Sequence, residues 1–170
     1  MLAANEANST QRYARFQKRE EVGIITFSDV PARTRVFPMG STAEENSKTR
    51  AAITQFINGL QAAGATAIYS SMQQALQELA QERSANKETR YYTVVLMTDG
   101  ENNAGRGPDD FSRLYDSLPP AGKQIPTFTI LYGSASAKAL EQIAAETHGK
   151  VFDARNADLS AVFKEIRGYQ

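Results

Sequence analysis

A doubly wound α/β domain, with a mostly parallel sheet and helices on both faces, is the fold class this chain of 170 residues predicts. The short apolar run Val94 to Met97 does not alternate with polar residues and reads as a strand buried on both faces, and Ile125 to Gly133 reads as a second buried strand. Between such runs lie segments with apolar residues at helical spacing, so strand and helix alternate along the chain. That order implies right-handed crossovers between parallel strands. The length fits one domain, able to remove roughly 70% of its unfolded surface from water around one core.

The pattern begins at Glu21. "EVGIITF" (Glu21 to Phe27) predicts a first strand, ended by Ser28, Asp29 and Pro31, and "ARTRVF" (Ala32 to Phe37) an edge strand hairpin-linked to it and protected by two arginines. "SKTRAAITQFINGLQAA" sets Ile53, Phe56, Ile57 and Leu60 on one helical face, and "AIYSSMQQALQELAQER" does the same with Ile68, Met72, Leu76 and Leu79. The break between them is "GAT", Gly64 to Thr66. A loop, "SANKETR", leads into the strand "YYTVVLM". The Asn-, Asp- and Gly-rich "DGENNAGRGPDD" follows, with Asp109 and Asp110 placed to cap the short helix "FSRLYDSL". After the strand from Ile125 come a helix from about Ser136 stopped by Gly149, the strand "KVFDA", and a last helix capped by Asp158. Residues 1–20 read as a tail or the remnant of a first helix, and residues 21–170 as the domain.

Composition narrows the function. The 19 basic residues balance 19 acidic ones, which leaves no electrostatic footprint for nucleic acid or an acidic membrane. Without cysteine there is no disulfide, thiolate metal site or Cys nucleophile. No run approaches the roughly 18 apolar residues of a membrane span, and the amino terminus lacks a signal-peptide core, so the chain reads as soluble.

Asp99 is the strongest candidate site residue, because it sits at the carboxyl end of a buried strand, where open α/β sheets form their ligand crevice. Gly100 is expected to permit a sharp turn that keeps the carboxylate exposed. Thr66, just ahead of a helix, reads either as an N-cap or as a hard oxygen ligand. A hydroxyl and a carboxylate together suit Mg²⁺ or Mn²⁺ better than zinc. His148, the only histidine, reads as a polar residue at a helix end rather than a base. Neither G-x-x-x-x-G-K-[ST], G-x-G-x-x-G nor G-x-S-x-G follows a strand, and "DGENN" lacks the ordering of a calcium loop. Tyr91, Tyr92, Phe111 and Tyr115 are read as core or half-buried cover.

In order and spacing, "EVGIITFSD", "GATAIYSSMQQAL", "VVLMTDGENN", "IPTFTILYG" and "ALEQIAAETHGKVFDA" resemble the von Willebrand factor type A domain, over Glu21 to about Gly168. The resemblance implies a protein-binding module, not an enzyme, with a metal-ion-dependent adhesion site built from three loops and completed by a carboxylate from a protein partner. It maps the second-loop threonine to Thr66 and the third-loop aspartate to Asp99. The family's first loop, Asp-x-Ser-x-Ser at the end of its central first strand, has no counterpart ahead of Glu21. The chain is therefore expected to be a truncated domain, started at an internal methionine or cut from a longer parent. Its Mg²⁺ or Mn²⁺ would be weakly held or absent, and its exposed strand edge would favour self-association or strand swapping. For the parent's location the resemblance implies only that bacterial relatives are often secreted or membrane-tethered. The alternative is a small α/β hydrolase or phosphatase using Asp99, which would need a positioned base or lysine; no lysine follows a strand end except Lys123, expected in the loop before Ile125.

Overall fold

A computed structural model describes residues 20–86, 90–133, 137–155 and 158–168. The chain forms two compact units, one running up to Thr26 and resuming over Arg33–Ala63, the other made of Phe27–Ala32 and the chain from Gly64 onward. Apart from Glu20, the expected tail over residues 1–20 lies outside the described residues, as does the expected helix start at Ser136.

In the first unit, β1 (Glu21–Ile24) pairs antiparallel with β2 (Arg35–Pro38), setting Glu21 opposite Pro38 and Ile24 opposite Arg35. The strand expected to reach Phe27 stops at Ile24. Phe27 instead makes an isolated bridge to Pro31, a residue with no N–H to carry a ladder onward. Helix α1 (Ala43–Asn58) starts earlier than its apolar spacing suggested, because Thr42 and Glu45 form a capping box. The Glu45 N–H donates to the Thr42 hydroxyl at 3.1 Å, while the Glu45 carboxylate accepts from the N–H groups of Thr42 at 2.9 Å and Ser41 at 2.7 Å. Those bonds hold the Glu45 carboxyl below its ordinary range. The helix ends at Gly59, short of the expected "GLQAA". The Arg35 guanidinium lies over the Phe56 ring at 4.8 Å, and Phe37 and Phe56 approach to 6.0 Å, which seats the hairpin on α1.

In the second unit, β3 (Val94–Thr98), β4 (Thr127–Leu131) and β5 (Lys150–Asp153) form a parallel sheet in that order, with Val94 opposite Thr127 and Phe128 opposite Lys150. Five helices accompany it among the described residues: α2 (Ile68–Ala85), α3 (Pro108–Ser117), α4 (Pro120–Lys123), α5 (Ala137–Glu146) and α6 (Leu159–Gly168). On one face, Leu96 and Leu131 join Met72, Leu76, Phe111, Leu140 and Ile143 in the larger core. On the other, Phe128, Ile130 and Phe152 pack with Val162 and Ile166 of α6. This is the expected arrangement, helices on both faces of a parallel sheet, and each large side chain so buried contributes about 1.5–3 kcal/mol. Coverage of β3 is incomplete: Val95 and Met97, pointing away from the larger core, remain 39% and 40% exposed.

Several local expectations change. Lys123 ends the short helix α4 instead of lying in a loop, its carbonyl accepting from the Tyr115 hydroxyl at 2.9 Å. Phe111 and Tyr115 are core and Tyr92 is half-buried, but Tyr91 is 82% exposed. After α5 it is His148, at φ 56°, that takes the left-handed turn expected of Gly149. The Gly149 N–H reaches back to the Ala144 carbonyl at 2.8 Å. Glycine is needed at 149 for a different reason: a Cβ there would collide with the Thr127 backbone.

Candidate functional site

The carboxyl end of β3 carries a short Thr98-Asp99-Gly100 turn. The Gly100 N–H donates to the Thr98 hydroxyl at 3.3 Å, which folds the chain around Asp99 and leaves that residue exposed at the sheet's end. Gly100 is not left-handed, contrary to the expected role of its backbone. Its missing side chain matters for space, since the Thr66 hydroxyl stands 3.2 Å from where a Cβ at residue 100 would lie. Gly133, just beyond β4 at φ 57°, closes on the other side, with the Asp99 Cβ 3.0 Å from the place its own Cβ would take. The fold thus brings Thr66 to the residue next to Asp99.

Thr66 does not cap α2. The N-cap residue is Ala67, without any side-chain cap. The chain before α2 is held from elsewhere: the Ala67 N–H donates to the Ser28 carbonyl at 2.8 Å, and the Ala65 N–H to the Asp29 carboxylate at 3.2 Å. The Thr66 N–H donates to the Asn103 side-chain oxygen at 2.6 Å, and the Tyr69 N–H to that of Asn102 at 3.3 Å. Asp29, Asn102 and Asn103 were not singled out from sequence; the adjacent asparagines in "DGENN" were the available signal. Tyr69 continues inward, its hydroxyl donating to Gln142 at 3.1 Å, and burial with the Glu146 carboxylate nearby pushes its phenol up.

The other candidates stand apart from Asp99. His148 and Lys123 precede β5 and β4 and so lie toward the strands' amino ends, whereas Asp99 follows β3. In parallel strands of five residues those ends are roughly 16 Å apart. Neither side chain is placed to serve as base or phosphate ligand to Asp99.

As a donor set, Thr66 and Asp99 offer a hydroxyl and a carboxylate, both hard oxygens. Among the described residues no group of three or more His, Cys, Asp or Glu is placed to hold an ion. The pair fits a cation that keeps several waters, such as Mg²⁺ or Mn²⁺, and does not fit a closed zinc site of four protein ligands. No helix among the described residues is long and apolar enough to cross a membrane.

A parallel sheet with a T-D-G turn at one strand's carboxyl end and a threonine docked against it makes this an α/β domain whose candidate site lies at the end of its strands. The chain belongs to the von Willebrand factor type A domain family, which it matches over residues 8–166. Among solved structures it is similar to proximal thread matrix protein 1 from the mussel byssus, at 20% identity and TM-score 0.59 over 95% of this chain. A form of that protein with a zinc-occupied MIDAS motif, the metal-ion-dependent adhesion site, matches at 20% identity and TM-score 0.58 over 96% of this chain. The chain spans about two-fifths of the mussel protein's length, 40% and 39% in these two structures. It is also similar to the conserved hypothetical protein BatB from Bacteroides thetaiotaomicron, at 12% identity and TM-score 0.57, covering 98% of this chain and 85% of that one. At these identities the likeness is one of fold. No curated protein matches the chain.

Proposed function

We propose that this domain is a protein-binding module whose contact with its partner runs through a divalent cation held by Thr66 and Asp99, and that it is not an enzyme. The observation that supports the proposal is the docking of the Thr66 hydroxyl against Gly100, which brings a second hard oxygen to the residue next to the exposed Asp99. Family membership and the zinc-occupied motif of the mussel protein support a metal role at this end of the sheet. The donor chemistry favours Mg²⁺ or Mn²⁺. A cation bound by two protein oxygens keeps open positions, and a carboxylate from the partner protein is the ligand that would fill one. With so few protein donors, affinity for the ion alone is weak, on the order of 1 mM.

Calorimetric titration with Mg²⁺, Mn²⁺ and Zn²⁺ tests this, alone and with a short peptide bearing a glutamate. The expected result is weak Mn²⁺ or Mg²⁺ binding that the peptide tightens and Asp99→Ala abolishes. Unchanged binding in Asp99→Ala, or none in the wild-type chain with peptide present, refutes the assignment.

Self-association is the second partner we propose. Among the described residues β3 pairs only with β4, and its run Val94 to Met97 carries no charge to discourage edge pairing. Light scattering is expected to find a concentration-dependent dimer; a monodisperse monomer at about 100 μM overturns this part.

A further inference from the structure

We propose that Asn102 and Asn103 are positioning residues, a latch that fixes the loop after Asp99 to the first turn of α2 and so sets the distance between Asp99 and Thr66. Neither strand pairing nor helix bonding supplies this register. Thr66 lies before α2, on a segment tied to Ser28 and Asp29, and Asp99 lies beyond β3, so the asparagine bonds are what join the two loops to each other.

Asn103 grips Thr66 at two points. Its side-chain oxygen accepts the Thr66 N–H at 2.6 Å, and its own N–H donates to the Thr66 carbonyl at 3.1 Å. Asn102 works on both sides of the loop. Its side-chain oxygen accepts the Tyr69 N–H at 3.3 Å, and its amide nitrogen donates to the Arg106 carbonyl at 3.1 Å. The Arg106 N–H then returns to the Ser70 hydroxyl at 3.0 Å. Four bonds thus tie residues 102–106 to residues 66–70, and a fifth, from Asn102 to Arg106, braces the loop itself.

The physical logic is that of a helix cap supplied from outside the helix. Ala67 at the N-cap offers no side-chain acceptor, so the Tyr69 amide in the first turn takes its acceptor from Asn102, while Asn103 serves the Thr66 amide just ahead of the cap. The two asparagines differ in what they need. Asn103 uses only its side-chain acceptor, which aspartate keeps. Asn102 uses acceptor and donor together, so aspartate in its place would turn a second acceptor toward the Arg106 carbonyl.

The metal half of this inference rests on the reading of Thr66 and Asp99 as ligands; the latch itself does not. The test uses the whole chain and two measurements, amide hydrogen exchange at Thr66 and Tyr69 without metal, and Mn²⁺ affinity by titration. In Asn103→Ala the Thr66 amide is expected to exchange between about twofold and tenfold faster, the range set by one net hydrogen bond, and Mn²⁺ affinity to fall by a similar factor. The melting temperature should move by less than about 2 °C, since Asn103 is exposed. Asn103→Asp should restore slow exchange at Thr66, while Asn102→Asp should speed exchange at Tyr69. Unchanged exchange in Asn103→Ala, or failure of Asn103→Asp to restore protection, overturns the latch. Faster exchange with unchanged Mn²⁺ affinity overturns its positioning role. If the wild-type chain binds no Mn²⁺, the metal reading falls while the exchange result still decides the latch.

Discussion

Three threonines at the amino end of β4 and the end of α5 are fully buried, and their hydroxyls have different fates. Thr127 Oγ1 has no hydrogen-bond partner among the described residues. Thr129 Oγ1 donates to the Leu140 carbonyl at 3.3 Å. Thr147 Oγ1 donates to the Ile143 carbonyl at 2.7 Å and accepts the Thr127 N–H at 3.2 Å. Replacing each by valine keeps shape and β-branching and removes only the polar group. A buried hydroxyl without a partner costs about 1–3 kcal/mol, so Thr127→Val should stabilise the protein by about 1 kcal/mol, raising the melting temperature by roughly 3 °C. Thr129→Val loses one net bond and should cost about 1 kcal/mol. Thr147→Val strips two bonds and leaves the Thr127 N–H unpaired in the core, for about 2–3 kcal/mol. Urea unfolding of the three variants against wild type measures the series. Destabilisation by Thr127→Val, or a Thr147→Val no worse than Thr129→Val, would refute the bookkeeping.

Further outcomes follow from the turn after α5. Gly149→Ala should destabilise by about 3 kcal/mol or more, because the new Cβ meets Thr127 main-chain atoms that no rotamer change can move aside; thermal melting reads this directly. His148→Gly should stabilise by up to about 1 kcal/mol, measured in the same melts, since the left-handed turn strains any side chain. Near β5 the Arg155 guanidinium and N–H bond the Asp153 carboxylate and hold its pKa down to about 2. A depressed folded-state pKa gives stability that is present above the unfolded value near 4 and lost as pH falls toward 2. Wild type should therefore lose part of its melting-temperature advantage over Asp153→Asn between pH 4 and pH 2, and parallel curves would contradict that.

The bodies of the elements were legible where burial dictated composition. "VVLM" and "TFTIL" were readable as strands, though two-face cover holds along β4 and only in part along β3, and the helical spacing of Met72, Leu76 and Leu79 located α2. Boundaries were less legible because side-chain chemistry outranks periodicity there. The Thr42 and Glu45 capping box was present in the sequence, yet the apolar pattern begins only at Ile53. Thr66 and Asp99 could be paired through the family pattern, since each marks a loop next to a recognisable element. The asparagine latch was not readable, because its bonds join residues 33 to 37 positions apart, and no local rule couples Asn103 to Thr66. The exchange of roles between His148 and Gly149 was hidden likewise, the approach of the Thr127 backbone being a tertiary fact.

The pairing register also bears on the order in which the chain folds. β1 meets β2 across one short connection, with Ile24 opposite Arg35, whereas β3 meets β4 only after α3 and α4 have been traversed, with Val94 opposite Thr127. Closing the longer loop costs more chain entropy before any contact rewards it, and parallel pairing is slow for that reason. On that ground the hairpin is expected to form before β3 joins β4. Until that step is complete, Leu96 and the Asp99 turn have no fixed surroundings, so the carboxyl end of the sheet should be among the last parts of the molecule to become native.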